Sequence, residues 1–228
     1  MRTYFAPGCT MMLYSGALAR RIQCFLEGHF GEVTFLDRCC QHEWELPAGS
    51  RLIDICPGCH QRYVARFVDC EVITLYEWVA GLIDFDYPDY GGRVMTVHDA
   101  CSTRQMPGVM DAVRTLAGRM GIVLEESVYT RERGMCCGDS VYSKLPPEDY
   151  TAFARRRCGH LPCDEAIVYC VSCVKSINHG GRTPRHLAGL LFGEDNMPIG
   201  EADPVAWHLS IRAYKDALAG VTSVQDSE

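Results

Sequence analysis

Ten of the fourteen cysteines in this 228-residue chain fall into two series that share one order. Each series has a single cysteine, then two adjacent cysteines, then two cysteines separated by two residues. A pattern that recurs in the same order along one chain is typical of an internal duplication. We therefore expect two related halves that carry the same motif. The first series is Cys9, Cys39, Cys40, Cys56 and Cys59, and the second is Cys101, Cys136, Cys137, Cys170 and Cys173.

Apolar runs lead into the single cysteine and the spaced pair of each series, and they predict buried strands at 2–6, 52–55, 94–98 and 166–169. Helical patterns at 13–30 and 108–120 are followed by strand patterns at 33–36 and 122–124. Further helical patterns after the spaced pairs end in 75–83 and 185–192. Strands that alternate with helices indicate parallel β/α units. The predicted fold class is α/β, with two pseudo-symmetric β/α halves and small, mostly parallel sheets.

The predicted domains are a first repeat at 1–90, a second repeat at 91–195, and a C-terminal helix and tail at 196–228. Between the adjacent and spaced cysteines lie 15 residues in the first copy and 32 in the second. The longer stretch contains a helix signal at 146–159 that begins with two prolines. The short connection at 41–50 leaves one sheet face to be covered by the second copy or by the predicted helix at 204–219. A disordered tail is expected at 221–228.

Composition and charge argue against a nucleic-acid-binding protein and against a membrane protein. The formal net charge is −7 and no dense run of Lys or Arg occurs, so the electrostatic signature of nucleic-acid or anionic-membrane binding is missing. No apolar stretch reaches the length of a membrane span, and the N-terminal residues lack a basic segment followed by an apolar run. We expect a cytoplasmic protein without a membrane span, in which cysteines serve as metal ligands or redox groups.

Five thiols per series exceed the four ligands of a tetrahedral zinc site. Adjacent cysteines in an extended segment point to opposite sides, which suits ligands that reach different metal atoms of one cluster. Thiolates select iron–sulfur clusters, zinc or copper(I). Three alternatives remain open: a thioredoxin-like dithiol at Cys56 and Cys59, structural zinc at both sites, and zinc in the first site with a cluster in the second. The remaining cysteines are interpreted as small buried hydrophobic residues: Cys24, Cys70, Cys158 and Cys163.

The doubled order of cysteines resembles the CCG domains, or cysteine-rich domains, found in the catalytic subunit of heterodisulfide reductases. The similarity covers about residues 3–192. The second copy carries the motif in the segments 98–101, 136–138 and 169–173. The first copy begins with Pro7, Gly8 and Cys9, but Gln41 stands where the motif has glycine, and its spacing is short.

This resemblance implies that all five cysteines of each series bind one noncubane [4Fe-4S] cluster. Zinc in the first site stays open as an alternative. It also implies an iron–sulfur redox protein that reduces a disulfide or related sulfur substrate in a heterodisulfide-reductase-like system, with a small disulfide or thiol as its small-molecule partner. The alternative is a non-catalytic electron-transfer or structural zinc or iron–sulfur subunit. The chain lacks a ferredoxin cysteine run, a glycine-rich dinucleotide loop and a flavin signature. We therefore expect an iron–sulfur or flavoprotein partner that donates electrons.

Several polar residues near the cysteines are weaker candidates. His98 is a candidate proton donor to a leaving thiolate, or a histidine that forms a hydrogen bond at a strand end. His42 and His60 are candidate ligands or orienting groups, or else solvated loop residues. Arg104 is a candidate anion-binding residue, whereas residues 155–157, three arginines, are interpreted as a solvated helix face.

Overall fold

Two four-stranded sheets, both entirely parallel, form the framework of the protein in a computed structural model that describes residues 1–225. The strand orders are β2-β1-β3-β4 and β6-β5-β7-β8. This confirms the predicted α/β fold with two β/α halves. The first sheet contains β1 (Thr3–Ala6), β2 (Val33–Phe35), β3 (Arg51–Asp54) and β4 (Glu71–Thr74), and the second contains β5 (Val94–Val97), β6 (Val123–Leu124), β7 (Glu165–Val168) and β8 (Thr183–His186).

Helices follow the strands in both halves. The first helix is interrupted at Ser15, whose φ of −158° and ψ of 87° are not helical. Ser15 Oγ accepts a hydrogen bond from the backbone N–H of Leu18 over 3.2 Å, as in an N-cap. The helices are α1 (Cys9–Phe30), α2 (Pro57–Arg66), α3 (Leu75–Ala80), α4 (Pro107–Arg119), α5 (Pro147–Gly159), α6 (Val171–His179), α7 (Leu187–Leu191) and α8 (Pro204–Gln225). In the described part of the chain, no helix is both long enough and apolar enough to cross a membrane.

The chain divides into two compact units. The first contains Met1–Thr74 together with the C-terminal helix from Val205, and the second contains Leu75–Pro204. The central strands β3 and β7 have three buried residues out of four each. Such continuous apolar burial is characteristic of parallel strands that are covered on both faces. By this division of the chain, helix α3 belongs to the second unit and α8, from Val205 onwards, belongs to the first.

The six predicted strands lie within one or two residues of the observed β1, β2, β3, β5, β6 and β7. Strands β4 and β8 have no counterpart among the predicted strands, and the expected helix at 185–192 is wrong at its start. Residues Arg185 and His186 belong to β8, where they pair with Ile167 and Val168 of β7. Arg185 Nε also donates to Glu165 Oε1 over 2.8 Å. Pairing with a neighbouring strand thus overrides the local helical pattern.

The connection at 41–50 in the first half contains no helix, and its Trp44 side chain covers part of the neighbouring core instead. Trp44 is 7% exposed, and its ring lies 5.6 Å from that of Tyr63 and 4.8 Å from that of Phe67, both on or next to α2. Leu52 of β3 and Ala6 of β1 belong to the same cluster. A single large aromatic side chain therefore packs where the second half has α5.

The C-terminal helix extends beyond the predicted range of 204–219, through Gly220 to Gln225. The expected tail at 221–228 is therefore wrong up to Gln225, and its last three residues lie outside the described residues. Trp207 and Ile211 of α8 are buried. Lys215 of α8 donates to Gln41 Oε1 over 3.2 Å, immediately after the first adjacent cysteine pair.

Helices α5 and α6 pack closely around Gly180, at the end of α6. A Cβ at Gly180 would meet Cys158 Sγ and would lie 2.6 Å from the carbonyl oxygen of Ala154, both on α5. We expect Gly180→Ala to lower the free energy of unfolding by about 1–3 kcal/mol, because the backbone of α5 cannot yield cheaply. Urea unfolding measures this change. Gly159→Ala is the control, since nothing lies within 4 Å of its Cβ position, and an equal loss in both variants would contradict the packing argument.

Candidate metal centres

Sheet topology brings the three parts of each cysteine motif to one edge. In the first half, the single cysteine follows β1, the adjacent pair follows β2, and the spaced pair follows β3. These strands are neighbours in the order β2-β1-β3, and the second half repeats the arrangement as β6-β5-β7. In each half the chain passes from the central strand to its neighbour on one side and then to its neighbour on the other side, from β1 to β2 to β3 and from β5 to β6 to β7. The motif therefore lies at the switch point where ligands bind in open parallel sheets.

The thiols of the first set interact in one continuous order. Cys39 interacts with Cys9 and Cys40, Cys40 with Cys59, and Cys59 with Cys56. Cys9, Cys39 and Cys59 are buried, whereas Cys40 and Cys56 are partly buried. The structure thus brings together all five predicted residues of this set.

The second set repeats this order at the matching positions. Cys136 interacts with Cys101 and Cys137, Cys137 with Cys173, and Cys173 with Cys170. Cys137 and Cys173 are buried, and the other three are partly buried. Fewer cysteines are buried here than in the first set.

Corresponding thiols have matching electrostatics in the two sets. Interactions with the Cys40 and Cys9 thiols lower the pKa of Cys39 to about 2, and interactions with Cys101 and Cys137 lower the pKa of Cys136. The interaction with Cys39 and burial raise the pKa of Cys9. Thiols that donate hydrogen bonds therefore lower the pKa of the first cysteine of each adjacent pair, and Cys59 lowers the pKa of Cys56 in the same way.

Two glycines allow close approach at these sites. Gly8 has a φ of +83°, and a Cβ there would lie 3.5 Å from Cys59 Sγ. Gly138 follows the second adjacent pair with a φ of +114°, and a Cβ there would lie 3.3 Å from the rings of Tyr150 and Phe153. Gln41 holds the equivalent position in the first half without a positive φ. The backbone after the adjacent pair therefore differs between the halves.

Each set has a different buried histidine beside it. His98 is fully buried directly after β5, and the potential ligand atoms of His98, Cys137 and Cys173 lie within 4.8 Å of one another. His60 follows Cys59 in α2 and is 9% exposed, so it is not a solvated loop residue. Its Nδ1 forms a hydrogen bond of 2.8 Å with Oδ2 of the buried Asp54.

Asp99 connects the two ligand-bearing loops of the second half. It is 1% exposed and accepts hydrogen bonds from Arg114 Nη2 at 2.8 Å, the Arg131 backbone N–H at 2.6 Å, Thr130 Oγ1 at 3.0 Å and Tyr169 Oη at 2.9 Å. Burial raises the pKa of Asp99, but the hydrogen bonds and charge of Arg114 outweigh it and hold the pKa below its usual range. Asp99 therefore holds the segment before Cys101 against the residue before Cys170.

The predicted solvated face at 155–157 is wrong at its last position. Arg155 and Arg156 are exposed, but Arg157 is completely buried. Position 157 shares a helix face with the buried Tyr150 and Ala154, and that helical spacing was the available signal. Three consecutive arginines are typical of a solvated helix face, and this pattern led to the wrong prediction for Arg157.

The remaining candidates, Arg104 and His42, each take part in a hydrogen bond that involves a backbone carbonyl group. Arg104 is exposed and donates to the carbonyl oxygen of Gly134 over 2.8 Å, two residues before Cys136. The carbonyl oxygen of His42 accepts a hydrogen bond from Arg66. Of the four isolated cysteines, Cys158 is buried as expected, Cys70 and Cys163 are partly buried, and Cys24 is exposed, so the interpretation of Cys24 as a buried residue is wrong.

Both sets suit an anionic group that accepts hydrogen bonds. The Tyr63 hydroxyl near the first set and His98 Nε2 near the second are buried and have no partner among the described residues. Orphaned buried donors of this kind are destabilising unless an acceptor is present. Metal-bound thiolates, together with the sulfides of a cluster, are acceptors of this kind.

No protein-family model matches this chain, and no curated protein matches it either.

Removing the charge of Asp99 tests its structural role. We expect Asp99→Asn to destabilise the metal-free second unit by about 1–3 kcal/mol at neutral pH, since it removes a buried carboxylate that accepts several hydrogen bonds, although Arg114 keeps its ion pair with Glu126. Urea unfolding measures this, and amide hydrogen exchange locates it. Asp111→Asn is the control, because its side chain is 63% exposed, and it should cost less than about 1 kcal/mol.

The pH dependence follows from the lowered pKa of Asp99. Its contribution to stability is complete above the pKa of an unfolded aspartate, about 3.9, and is lost as the pH falls through the lower pKa of the folded state. The stability difference between the native protein and Asp99→Asn should therefore be constant above about pH 5 and shrink below about pH 3.9. A difference that shrinks between pH 7 and pH 5 would point to another group.

Proposed function

We propose that each of the two thiol sets holds a [4Fe-4S] cluster, in a redox protein similar to the catalytic subunit of heterodisulfide reductases. The observation that carries this proposal is the repeated order of five interacting thiols at matching sheet edges. The substrate would be a small disulfide or a related sulfur compound. We also place the protein in the cytoplasm, where thiols remain reduced.

The linear arrangement of the thiols favours a centre larger than one ion. In a tetrahedral zinc site every pair of thiolate sulfurs lies about 3.8 Å apart, because each Zn–S bond is about 2.3 Å. Here Cys9 and Cys101, at one end of each set, each form a hydrogen bond with one thiol and interact with further thiols only through charge. A row of five soft ligands suits several metal atoms, as iron–sulfur clusters require.

Cleavage of a disulfide consumes two electrons and two protons and yields two thiols. Iron–sulfur clusters supply such electrons singly and offer iron to the departing sulfur. The chain contributes the ligand positions and the electrostatic environment. In each set, the spaced cysteines lie at the start of α2 or α6, where the unpaired backbone N–H groups favour negative charge. The electrons would come from an iron–sulfur or flavoprotein partner.

A zinc site in the first half is the second candidate, and the pair of His60 and Asp54 supports it. When Nδ1–H donates to a carboxylate, the neutral ring has its lone pair on Nε2, as in zinc-ligating histidines. A structural zinc there would leave the second set as the redox centre. Metal analysis separates this candidate from two clusters.

Iron and sulfide content test the cofactor proposal. Protein purified or reconstituted without oxygen should contain about eight iron atoms and about eight acid-labile sulfides, as two four-iron clusters require. Cys40→Ser and Cys137→Ser should each remove about half of both, because each disrupts one set. Cys24→Ser, at an exposed isolated cysteine, should change neither. Stoichiometric zinc without sulfide would reject the clusters.

Anaerobic turnover tests the reaction. With a reduced viologen as donor and a small symmetric disulfide as substrate, we expect two thiols to form for every two electrons consumed. Cys137→Ser should fall to the rate of the dye alone, because the second set can no longer hold its cluster. Equal activity with a pyridine nucleotide and no second protein would contradict the expected electron-donating partner. Intact clusters without disulfide reduction would favour a non-catalytic electron carrier.

A further inference from the structure

An arginine and a histidine, both fully buried, form a pair beside the second thiol set. Arg157 Nε donates a hydrogen bond to His98 Nδ1 over 3.0 Å. The potential ligand atoms of His98, Cys137 and Cys173 lie within 4.8 Å of one another. The pair therefore connects helix α5 to two of the thiols, and α5 has no counterpart between β2 and β3 in the described part of the first half.

The hydrogen bond from Arg157 determines which nitrogen of His98 carries the hydrogen. A guanidinium nitrogen can only donate, so Nδ1 must offer its lone pair, and the neutral ring then carries its hydrogen on Nε2. Nε2 is buried and has no hydrogen-bond partner among the described residues. In this tautomer Nε2 is a donor without an acceptor, and it has no lone pair with which to bind a metal.

The charge of Arg157 points to the same thiols. Its Nη2 donates to the carbonyl oxygen of Tyr129 over 3.3 Å, and Nη1 has no partner among the described residues. Within the described part of the chain, no carboxylate forms an ion pair with it. Burial lowers the pKa of Arg157, whereas the nearby groups Cys158, Asp99, Cys173 and Cys137 raise it. A buried cation is stable when anions balance it, and thiolates at Cys137 and Cys173 would add to the charge of Asp99 in doing so.

We propose that His98 is a positioning residue of the second centre, whose Nε2–H donates to the thiolates of Cys137 and Cys173 while Arg157 holds the ring in the required tautomer. The proposal rests on the proposed function, because it takes these thiols to be metal-bound thiolates. Hydrogen bonds and positive charge stabilise the reduced state of a cluster, which is the more negative one. The pair thus raises the reduction potential of the second centre.

The tautomer can be tested without any metal. Nitrogen-15 NMR of histidine-labelled, metal-free protein should show His98 as the neutral Nε2–H tautomer at neutral pH. Arg157→Met should release the ring, so that the Nδ1–H form becomes populated. Arg156→Met, at the exposed neighbouring position, should leave the tautomer unchanged. A native ring with its hydrogen on Nδ1 would overturn the proposal, since Nε2 would then be a candidate ligand.

The reduction potential tests the effect on the loaded centre. In the Cys40→Ser background, which isolates the second centre, we expect His98→Leu to shift the ratio of oxidised to reduced centre at least tenfold towards oxidised, about 59 mV for one electron. His98→Gln, which restores an N–H donor, should recover most of the shift. His29→Leu, in the first half, is the control. Equal potentials in His98→Leu, His98→Gln and the parent would overturn the proposal.

These two tests separate this proposal from the proposed function. If the protein bound no iron or sulfide, the proposed function would fail, and with it the acceptor thiolates that this inference requires. The NMR result would still show whether Arg157 controls the tautomer of His98. If clusters bind and disulfide is reduced but the potential does not respond to His98, only the present inference fails.

Discussion

The structure depends on the alignment of parallel strands, which brings five thiols to one edge of each sheet. The carboxyl ends of three neighbouring strands meet there, so Cys101 and Cys170 interact although they are 69 residues apart in sequence. Thiols at such short range cannot all ionise, because each thiolate opposes the ionisation of the next. The outcome is that the pKa values of Cys39, Cys56 and Cys136 are lowered, whereas those of Cys40 and Cys137 are raised. A metal centre would relieve this by neutralising several thiolates together.

The two halves stabilise the same ligand order by different means. In the first, Trp44 packs on α2, and Lys215 of α8 lies close enough to lower the pKa of Cys39. In the second, α5 packs on α6 and places Arg157 beside His98, while Asp99 joins the segments that carry Cys101 and Cys170. The duplication thus preserved the thiols, and the surrounding charges diverged. Different surroundings are expected to give the two centres different potentials.

Individual residues show why some features of the fold and of the site could be predicted from the sequence and others could not. Strands such as β3 and β7 were predictable because buried parallel strands are continuous apolar runs. Strand β8 was not, since Thr183 and Pro184 do not form an apolar run and pair only because β7 lies beside them. Arg157 was misplaced because a run of arginines indicates solvent, and its burial depends on the packing of α5. Asp99 lies in the motif segment 98–101, but its four hydrogen-bond partners are 15 to 70 residues away in sequence, so the sequence did not reveal them.

The sequence alone determined the duplication, the parallel β/α class and the ten cysteines of the two motifs, because periodicity and spacing are local properties of the chain. Only the tertiary structure decided which thiols interact and in what order, since that depends on which strands are neighbours. It also decided the tautomer of His98 and the hydrogen-bond network of Asp99. Both depend on donors that approach from other elements, and no local pattern encodes such an approach.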